Sequence, residues 1–587
     1  MENLSRRGFL TLGALSAAGA AVAGVALQNS APQALAAEET TETPAADIIN
    51  CSGIVVNPAE VFEIHKTDIL IIGAGISGLA AAVQASQQGD DFILLEGQAV
   101  VGGNGQGVEG TFAINSRFQQ EQGIEIEPWE IMKEELGKTQ WVADGLLYKD
   151  LMENAAANIE WLVDECGCIL EGKIDNYPCG TGEGKVDSFH WWKDGVANRG
   201  YVLPMEALLR SADADIRLNT RGLEFSYTPE GAVDGVYAQD MFGDIVKFAA
   251  KQVIIATGGF ANDDRRIIKN GFDMETLDRI GMPGHWGDGV NMAIAAGAKE
   301  FPSVCYLKYN CVSRLVDTFG PFWGAYAFGG PFLWLNRDCD RFVDESISYL
   351  VGNITSQTIP IHTQGGVCYS IWDSATNEKI LADNAAAAEE WGTDLSEELE
   401  ATIAAGEEIW RADTLAEACE LAGLDPEKVQ AQVDEYNGYC AAGHDSLYGK
   451  DPEYLLSIEQ GPFYIAQVHE RMEGPLGGVV TDRNFQPVLD NGNVINNVYV
   501  VGLDGIMLYR DVYPMDVPGS ASAECIYGGR KAAQLAHEKI ANGEEAAPIA
   551  VEEAAVAAPA EAESDAPDCT GCHADGKKPG DDNPHGY

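Results

Sequence analysis

Asp68-Ile69-Leu70-Ile71-Ile72-Gly73-Ala74-Gly75-Ile76-Ser77-Gly78 sets the fold class of this chain. The stretch opens as a short apolar, β-branched run, breaks at glycines and continues through Leu79 to Gln88 as a helix. Strand, glycine turn and helix in immediate succession form the dinucleotide-binding fingerprint. Gly73 makes the tight turn, Gly75 lets the backbone approach a pyrophosphate, and Gly78 lets helix and strand pack closely. Ile76 and Ser77 open the helix, whose N-terminal N–H groups face the negative charge. Phe92-Ile93-Leu94-Leu95 reads as the next strand, and Glu96, beside Gly97, falls 18 residues past Gly78, where a carboxylate reaches ribose hydroxyls.

Composition narrows the class further. The 587 residues are 46% hydrophobic and 22% charged, too apolar for a disordered chain and long enough for several domains or one large α/β domain with an insertion. Thirty-seven basic residues against 91 acidic ones give a formal charge of −54. Such a surface repels polyanions, which excludes nucleic acid as a partner and disfavours an anionic lipid leaflet. Residues 541–587 hold 11 acids and 2 lysines, so most of the acidity belongs to the body.

Farther along, Val101-Gly102-Gly103-Asn104 follows the acid, and Val253-Ile254-Ile255-Ala256-Thr257-Gly258-Gly259 is another strand ending in glycines. Gly284-His285-Trp286-Gly287-Asp288-Gly289 then precedes an Ala-rich helix. These segments resemble the flavoprotein family of fumarate reductases, urocanate reductases and ketosteroid dehydrogenases. The likeness continues through Leu424-Asp425-Pro426 to Tyr436-Asn437-Gly438, Gly461-Pro462-Phe463-Tyr464 and Gly477-Gly478-Val479-Val480-Thr481-Asp482. It closes with Val498-Tyr499-Val500-Val501-Gly502, Asp504 and the helix start Gly519-Ser520-Ala521-Ser522, and spans about residues 65–540.

The resemblance implies FAD held by Gly73, Gly75, Ile76, Ser77, Gly78, Glu96, Gly97, Gly102, Gly103, Asn104, Ala256, Thr257, Gly258, Gly287, Asp288, Gly502, Asp504, Gly519, Ser520, Ala521 and Ser522. It also implies an α/β architecture. A Rossmann-like FAD-binding domain from 64–300 and 474–543 would carry an inserted α+β clamp domain, 301–473, with substrate between clamp and flavin.

The family's substrate chemistry is altered. Its proton-donating Arg precedes an N-x-x-x-x-R-F-x-x-E segment, here Asn336 to Glu345, and counting back reaches Phe328. Phe319, Phe322, Trp323, Tyr326, Phe332 and Trp334 lie nearby, which predicts an aromatic wall, with Tyr177-Pro178 and Phe189-His190-Trp191-Trp192 as further members and ordinary core packing as the alternative reading. Asp516 stands where the family has a carboxylate-binding Arg, and the family His falls near Glu473-Gly474-Pro475. A dicarboxylate would meet an acid and aromatic rings, so fumarate is not the expected substrate. Tyr509, Arg510, Tyr513 and Asp516 are the candidate catalytic residues of the loop before the last helix, since alkene reduction needs an acid opposite the flavin. A solvated surface loop is the alternative reading of that segment. Arg341 and Glu345 are assigned to structure.

The chain ends carry addresses. Ser5-Arg6-Arg7-Gly8-Phe9-Leu10, an Ala/Gly-rich apolar run and Ala34-Leu35-Ala36 resemble a twin-arginine export signal over 1–36, which implies a periplasmic or cell-surface protein, with a transmembrane anchor as the alternative, and a linker, 37–63, follows. An acidic spacer, 544–568, leads to a tail, 569–587, with Cys569-Thr570-Gly571-Cys572-His573, a haem c attachment signature. Cys569 and Cys572 would hold the porphyrin and His573 the iron, with a disulfide or a tail docked on a separate cytochrome as the alternatives. The remaining cysteines read as core thiols. The function expected is reduction of the C=C bond of an unsaturated, aromatic or planar small molecule, fed by an extracytoplasmic donor such as a membrane-associated cytochrome. A ketosteroid-type dehydrogenase and a non-catalytic electron-transfer or ligand-binding flavoprotein are the rivals.

Overall fold

A computed structural model describes residues 53–176, 186–301, 305–315, 320–328, 332–347, 358–509, 513 and 517–549. In chain order its strands are β1 (Glu63–Ile72), β2 (Phe92–Leu95), β3 (Gly110–Phe112), β4 (Leu170–Asp175), β5 (Phe189–Trp192), β6 (Asp215–Arg217), β7 (Arg221–Tyr227) and β8 (Val233–Gln239). They continue as β9 (Ile245–Ile255), β10 (Asp278–Arg279), β11 (Cys305–Cys311), β12 (Leu333–Leu335), β13 (Val367–Asp373), β14 (Ile409–Ala412), β15 (Phe463–Leu476) and β16 (Val498–Val500). Four helices matter for the site: α1 (Ile76–Gln88), α2 (Gly145–Asp164), α3 (Asp288–Ala295) and α4 (Ser520–Asn542).

The first sheet runs β6-β2-β1-β9-β8-β7, with β16 added alongside β9. β6, β2, β1, β9 and β16 are mutually parallel, whereas β7, β8 and β9 form an antiparallel meander. A strand buried on both faces must be apolar at every position, and alternate residues must enter different cores. β1 obeys this: Ile69 and Ile71 join the core beneath α1 and α4, while Leu70 and Ile72 join the core on the opposite face. β9 does the same with Ile254 against Val253 and Ile255. β9 is long enough to pair with β8 over Ile245–Ala249 and with β16 over Val253–Ile255, so its C-terminal end lies between those of β1 and β16.

The second sheet is mixed and built around β15, the longest strand. β13 and β14 pair antiparallel with its first half, β11 antiparallel with its second half, and β10 runs parallel to it at Arg471 and Met472. Tyr464, Ala466 and Val468 enter one core and Ile465 the other, again by strict alternation. Arg341 ties that unit together from within, donating to both Glu345 oxygens at 2.8 and 2.9 Å and to Asp445 at 2.8 Å, with Lys450 3.0 Å from Glu345. A small third sheet, β3-β5-β4, packs beside the start of α4. The described cysteines are free thiols, all buried but the half-buried Cys440. Among the described residues no helix is long and apolar enough to cross a membrane.

Candidate active site

The ends of β1, β9 and β16 bring the glycine segments together. Gly73 has φ +97°, and a Cβ there would lie 2.2 Å from the Ala256 carbonyl oxygen. A Cβ on Gly78 would lie 1.8 Å from the Gly73 oxygen. These two glycines let the turn, α1 and the end of β9 coexist. Gly75 and Gly103 have another role. A Cβ on Gly75 would meet only the Gly102 oxygen, at 3.9 Å, and one on Gly103 only His285 at 3.8 Å and the Gly75 Cα at 4.0 Å. The space over them is left free, at the N-terminus of α1, whose Gly75 N-cap offers no side chain to the first N–H groups. That combination fits a phosphate-bearing cofactor. Ile76 packs under Gly105 and its carbonyl accepts from Tyr201, and Ser77 lies against Gly502.

Asp504, fully buried after β16, clasps the end of β9. Oδ1 accepts from Thr257 Oγ1 at 2.9 Å and Gly259 N at 3.0 Å, and Oδ2 accepts from Gly258 N at 3.0 Å. Burial pushes its carboxyl up to about 6 against those hydrogen bonds. His285 stands next to this clasp. Its Nδ1 donates to the Gly258 carbonyl at 2.8 Å, and its buried Nε2 has no partner among the described residues. Burial lowers the imidazole pKa, so the neutral ring presents Nε2 as an acceptor. No sequence motif singled out that nitrogen.

At the other end, Glu96 accepts from Ala74 N at 2.9 Å and Gln98 N at 2.8 Å, which leaves each oxygen a second lone pair for hydroxyl donors. Burial raises its pKa against those backbone bonds. Gly97 lies under the Trp286 ring, and the Arg221 guanidinium stacks 4.0 Å over that ring. Arg221 also grips Asp288, the first residue of α3 after Gly287, at 2.6 and 2.8 Å. Asp288 and Asp504 thus hold protein groups rather than pointing free.

α4 starts at Gly519, whose φ of +79° and contact with β3 leave no room for a side chain. Ser520 Oγ shares a 2.6 Å hydrogen bond with Tyr509 Oη, Ala521 is half-buried, and Ser522 Oγ donates to the Gly110 carbonyl at 3.1 Å. Tyr509 is fully buried and Tyr513 packs edge-on against it, ring centroids 4.6 Å apart, so both stand behind the start of α4. Arg510 and Asp516 lie outside the described residues, as do Tyr177, Pro178, Phe319, the export signal and Cys569, Cys572 and His573.

A bulge in β15 supplies what the motifs missed. Leu307 pairs with Gly474 but Lys308 with Met472, so Glu473 is the extra residue of a β-bulge. Its carbonyl oxygen accepts from Asn104 Nδ2 at 3.4 Å, while Asn104 Oδ1 accepts from Met282 N at 2.7 Å. Gly474 and Pro475 rest against Asn104, Ala261 and Gly259. The second sheet therefore meets the glycine cradle at Glu473. Burial, and then the charge of Glu109 just before β3, push the Glu473 carboxyl up to about 8.

The aromatic residues behave otherwise than expected. Phe322, Tyr326, Phe332 and Trp334 are buried in the core of the second sheet with Trp372, which stacks on Tyr464 at 5.3 Å and on Phe332 at 4.9 Å. They pack against one another there because a sheet face needs large apolar side chains. His190 is structural too: Nδ1 donates to Ser188 O at 3.1 Å, Nε2 accepts from Ser116 Oγ at 2.9 Å, and burial lowers it to about 4. Among the described residues no cluster of His, Cys, Asp and Glu could hold a metal.

Comparison with known proteins agrees with this geometry. The chain is 29% identical over 505 residues to the vinyl phenol reductase of Lactiplantibacillus plantarum, covering 80% of this chain and 97% of that protein. It is 26% identical over 450 residues to the urocanate reductase of Eggerthella lenta, covering 74% and 69%. The open conformation of a flavocytochrome c3 fumarate reductase shares the fold, with a TM-score of 0.60 at 20% identity, covering 81% of this chain and 78% of that one. The FAD binding domain family matches residues 68–515, and the chain belongs to it: it is an FAD-dependent oxidoreductase of the fumarate reductase-like flavoproteins.

Proposed function

We propose that the chain reduces the C=C bond of an uncharged, unsaturated small molecule, aromatic or otherwise planar. The observation that carries this reading is the acid at the join of cradle and second sheet. Glu473 stands near the position of the family's histidine and Asp516 at that of its carboxylate-binding arginine, so the sequence offers acids where a dicarboxylate would require cations. A vinyl phenol reductase that aligns over nearly its whole length supports an aromatic alkene.

Bound FAD supplies hydride to one carbon of an activated double bond. The chain's own groups do the rest. Gly75, Gly103 and the start of α1 would receive the pyrophosphate, and Glu96 would take ribose hydroxyls. The start of α4 directs its N–H groups to the flavin end, where they favour negative charge. The substrate lies between that end and β15.

Export through the twin-arginine pathway, an extracytoplasmic donor such as a membrane-associated cytochrome, and haem c on Cys569, Cys572 and His573 complete the proposal, on the motifs at the two ends. Dithionite reduction of the exported protein under anaerobic conditions, followed by vinylphenol, cinnamate, enone, steroid and dicarboxylate alkenes, tests the reductase reading. Reoxidation by one alkene class is expected; a flavin that stays reduced with all of them refutes it. A covalent haem band in the wild type that disappears in Cys569→Ser is the expected sign of the tail's cofactor, and no band in the wild type refutes that part.

A further inference from the structure

We infer that Glu524 is a charge gate behind the flavin end of α4: uncharged, it leaves the helix start free to favour negative charge on the reduced cofactor, and ionised, it opposes that charge. The inference goes beyond the choice of alkene and rests on the reading above that puts the flavin at the start of α4.

Glu524 is fully buried, and neither carboxyl oxygen has a hydrogen-bond partner among the described residues. Residues four apart share a helix face and their side chains tilt toward the N-terminus, so Glu524 stands one turn behind Ser520, the first residue of α4. Ser520 is fully buried as well and shares its 2.6 Å hydrogen bond with Tyr509 Oη, while Gly519 offers no side chain to the first N–H groups of the helix. The neighbouring Cys525 faces the cofactor cradle. A Cβ on Gly502 would lie 3.4 Å from Cys525 Sγ and 2.4 Å from Ser77 Oγ, so Gly502 touches both this turn of α4 and the start of α1. An acid without a donor is thus built into the turn of α4 that adjoins the cradle.

The elements packed on α4 are α1, α2, β3, β9 and the Gly502–Asp504 turn, and their cations are held elsewhere. On α4, Arg530 donates to Gln84 and Asn158 at 2.9 Å, Lys531 to Tyr527 Oη and the Arg483 carbonyl at 3.0 Å, Lys539 to the Asn496 carbonyl, and His537 meets Asp90 at 2.7 Å. Lys149 of α2 pairs with Glu153 at 2.6 Å, and on β9 Lys247 pairs with Asp234 at 2.9 Å and Lys251 with Asp68 at 2.6 Å. α1, β3 and the turn carry no cation. Among the acids, Asp504 clasps the end of β9, Asp150 pairs with Arg483 at 2.6 Å, Glu160 and Asp164 bond Arg117, Asp482 caps Asn484 N and Gln486 N, and Glu538 is exposed. Burial raises Tyr148, Tyr509, Tyr527 and Cys525, which are therefore uncharged. A carboxyl enclosed in this way is stable as the neutral acid. Burial accordingly pushes Glu524 up to about 8. A helix N-terminus is worth about half a positive charge, so a full carboxylate charge one turn behind it outweighs it.

Redox titration at an electrode, on the flavin-loaded protein and without any alkene, reads the gate. Glu524→Gln is neutral at every pH. Its midpoint potential should match the wild type's at pH 6 and lie above it at pH 9, where the wild-type carboxyl is ionised. Above about pH 8 the wild-type potential should also fall more steeply with pH than the variant's, since each reduction then draws one extra proton from solvent onto Glu524. Potentials that coincide at both pH values overturn the inference, and so does an equal offset at both, the mark of a merely structural role. If Glu524→Gln does not fold with flavin, the wild type decides: a potential whose slope does not steepen above about pH 8 overturns the gate. In the apoprotein at pH 6, the infrared band of protonated carboxyl should lose intensity in Glu524→Gln, and an unchanged band also overturns it. Failure of the reductase reading shows differently, as wild-type flavin that no alkene reoxidises while the redox titration behaves as described.

Discussion

The two sheets solve unlike problems. In the first, glycines at the ends of β1 and β9 admit backbone within 2.2 Å of where a side chain would begin, and the cofactor's place follows from what is missing there. In the second, large rings fill the core beside β15, and the strand's regular alternation breaks at the bulge of Glu473, where its carbonyl meets Asn104 of the cradle. The first region is shaped by small residues whose requirement is local in the sequence, the second by a strand pairing that local sequence rules do not reveal.

The largest effect should come from Gly78→Ala. A Cβ 1.8 Å from the Gly73 oxygen forces α1 away from β1, and the expected outcome is no soluble folded protein; a circular dichroism melt like the wild type's would show that the turn tolerates separation. Gly75→Val should act on the ligand alone. Its first added atom has only one neighbour, at 3.9 Å, so apo Tm should match that of the wild-type apoprotein while nearly all bound flavin absorbance is lost. Retained flavin would remove the cradle from the account. Trp372→Ala tests the other region: loss of a buried ring stacked on Tyr464 and Phe332 should cost about 3–5 kcal/mol in denaturant melts, with flavin stoichiometry intact in the folded fraction. Loss of flavin with unchanged stability would mean those rings do line the site.

The smallest effect is a pH dependence on α4. Glu524 is fully buried, neither oxygen has a partner among the described residues, and burial pushes its carboxyl up to about 8 from 4.5. A raised carboxyl pKa favours the folded state while the group stays protonated. Its contribution is complete below pH 4.5 and is lost as pH rises through about 8. Glu524→Gln, which mimics the protonated acid, should therefore raise Tm by a few degrees at pH 9 and leave it unchanged at pH 4. Equal Tm shifts at both values would contradict that assignment.

How far sequence carried these two regions follows from the range of the forces involved. The strand, glycines and acid from Asp68 to Glu96 are legible because each requirement is met within a few residues. Glu96, the start of α1 and Gly103 stand close together in the structure, as does Asp504 with Thr257 and Gly258, although Asp504 and Asp288 turn their carboxylates to protein partners. Phe322, Tyr326, Phe332 and Trp334 read in the sequence either as a pocket wall or as ordinary core, since composition does not tell which face of a sheet a ring will occupy, and the structure places them in a core. Tyr509 looked like a reactive loop residue, and its bond to Ser520 emerges only when α4 is in place. Glu473 was visible only as the residue standing where the family has a histidine. Its bulge depends on the pairing of β11 with β15, segments far apart in the chain.

The central claim is that an acid-faced flavin site selects an uncharged aromatic alkene over a dicarboxylate. The most direct measurement is a stopped-flow comparison at pH 7, mixing the reduced wild-type protein with 4-vinylphenol and, separately, with fumarate. Fast flavin reoxidation by 4-vinylphenol with none above background by fumarate is the predicted result. Reoxidation by fumarate as fast as or faster than by 4-vinylphenol would contradict it.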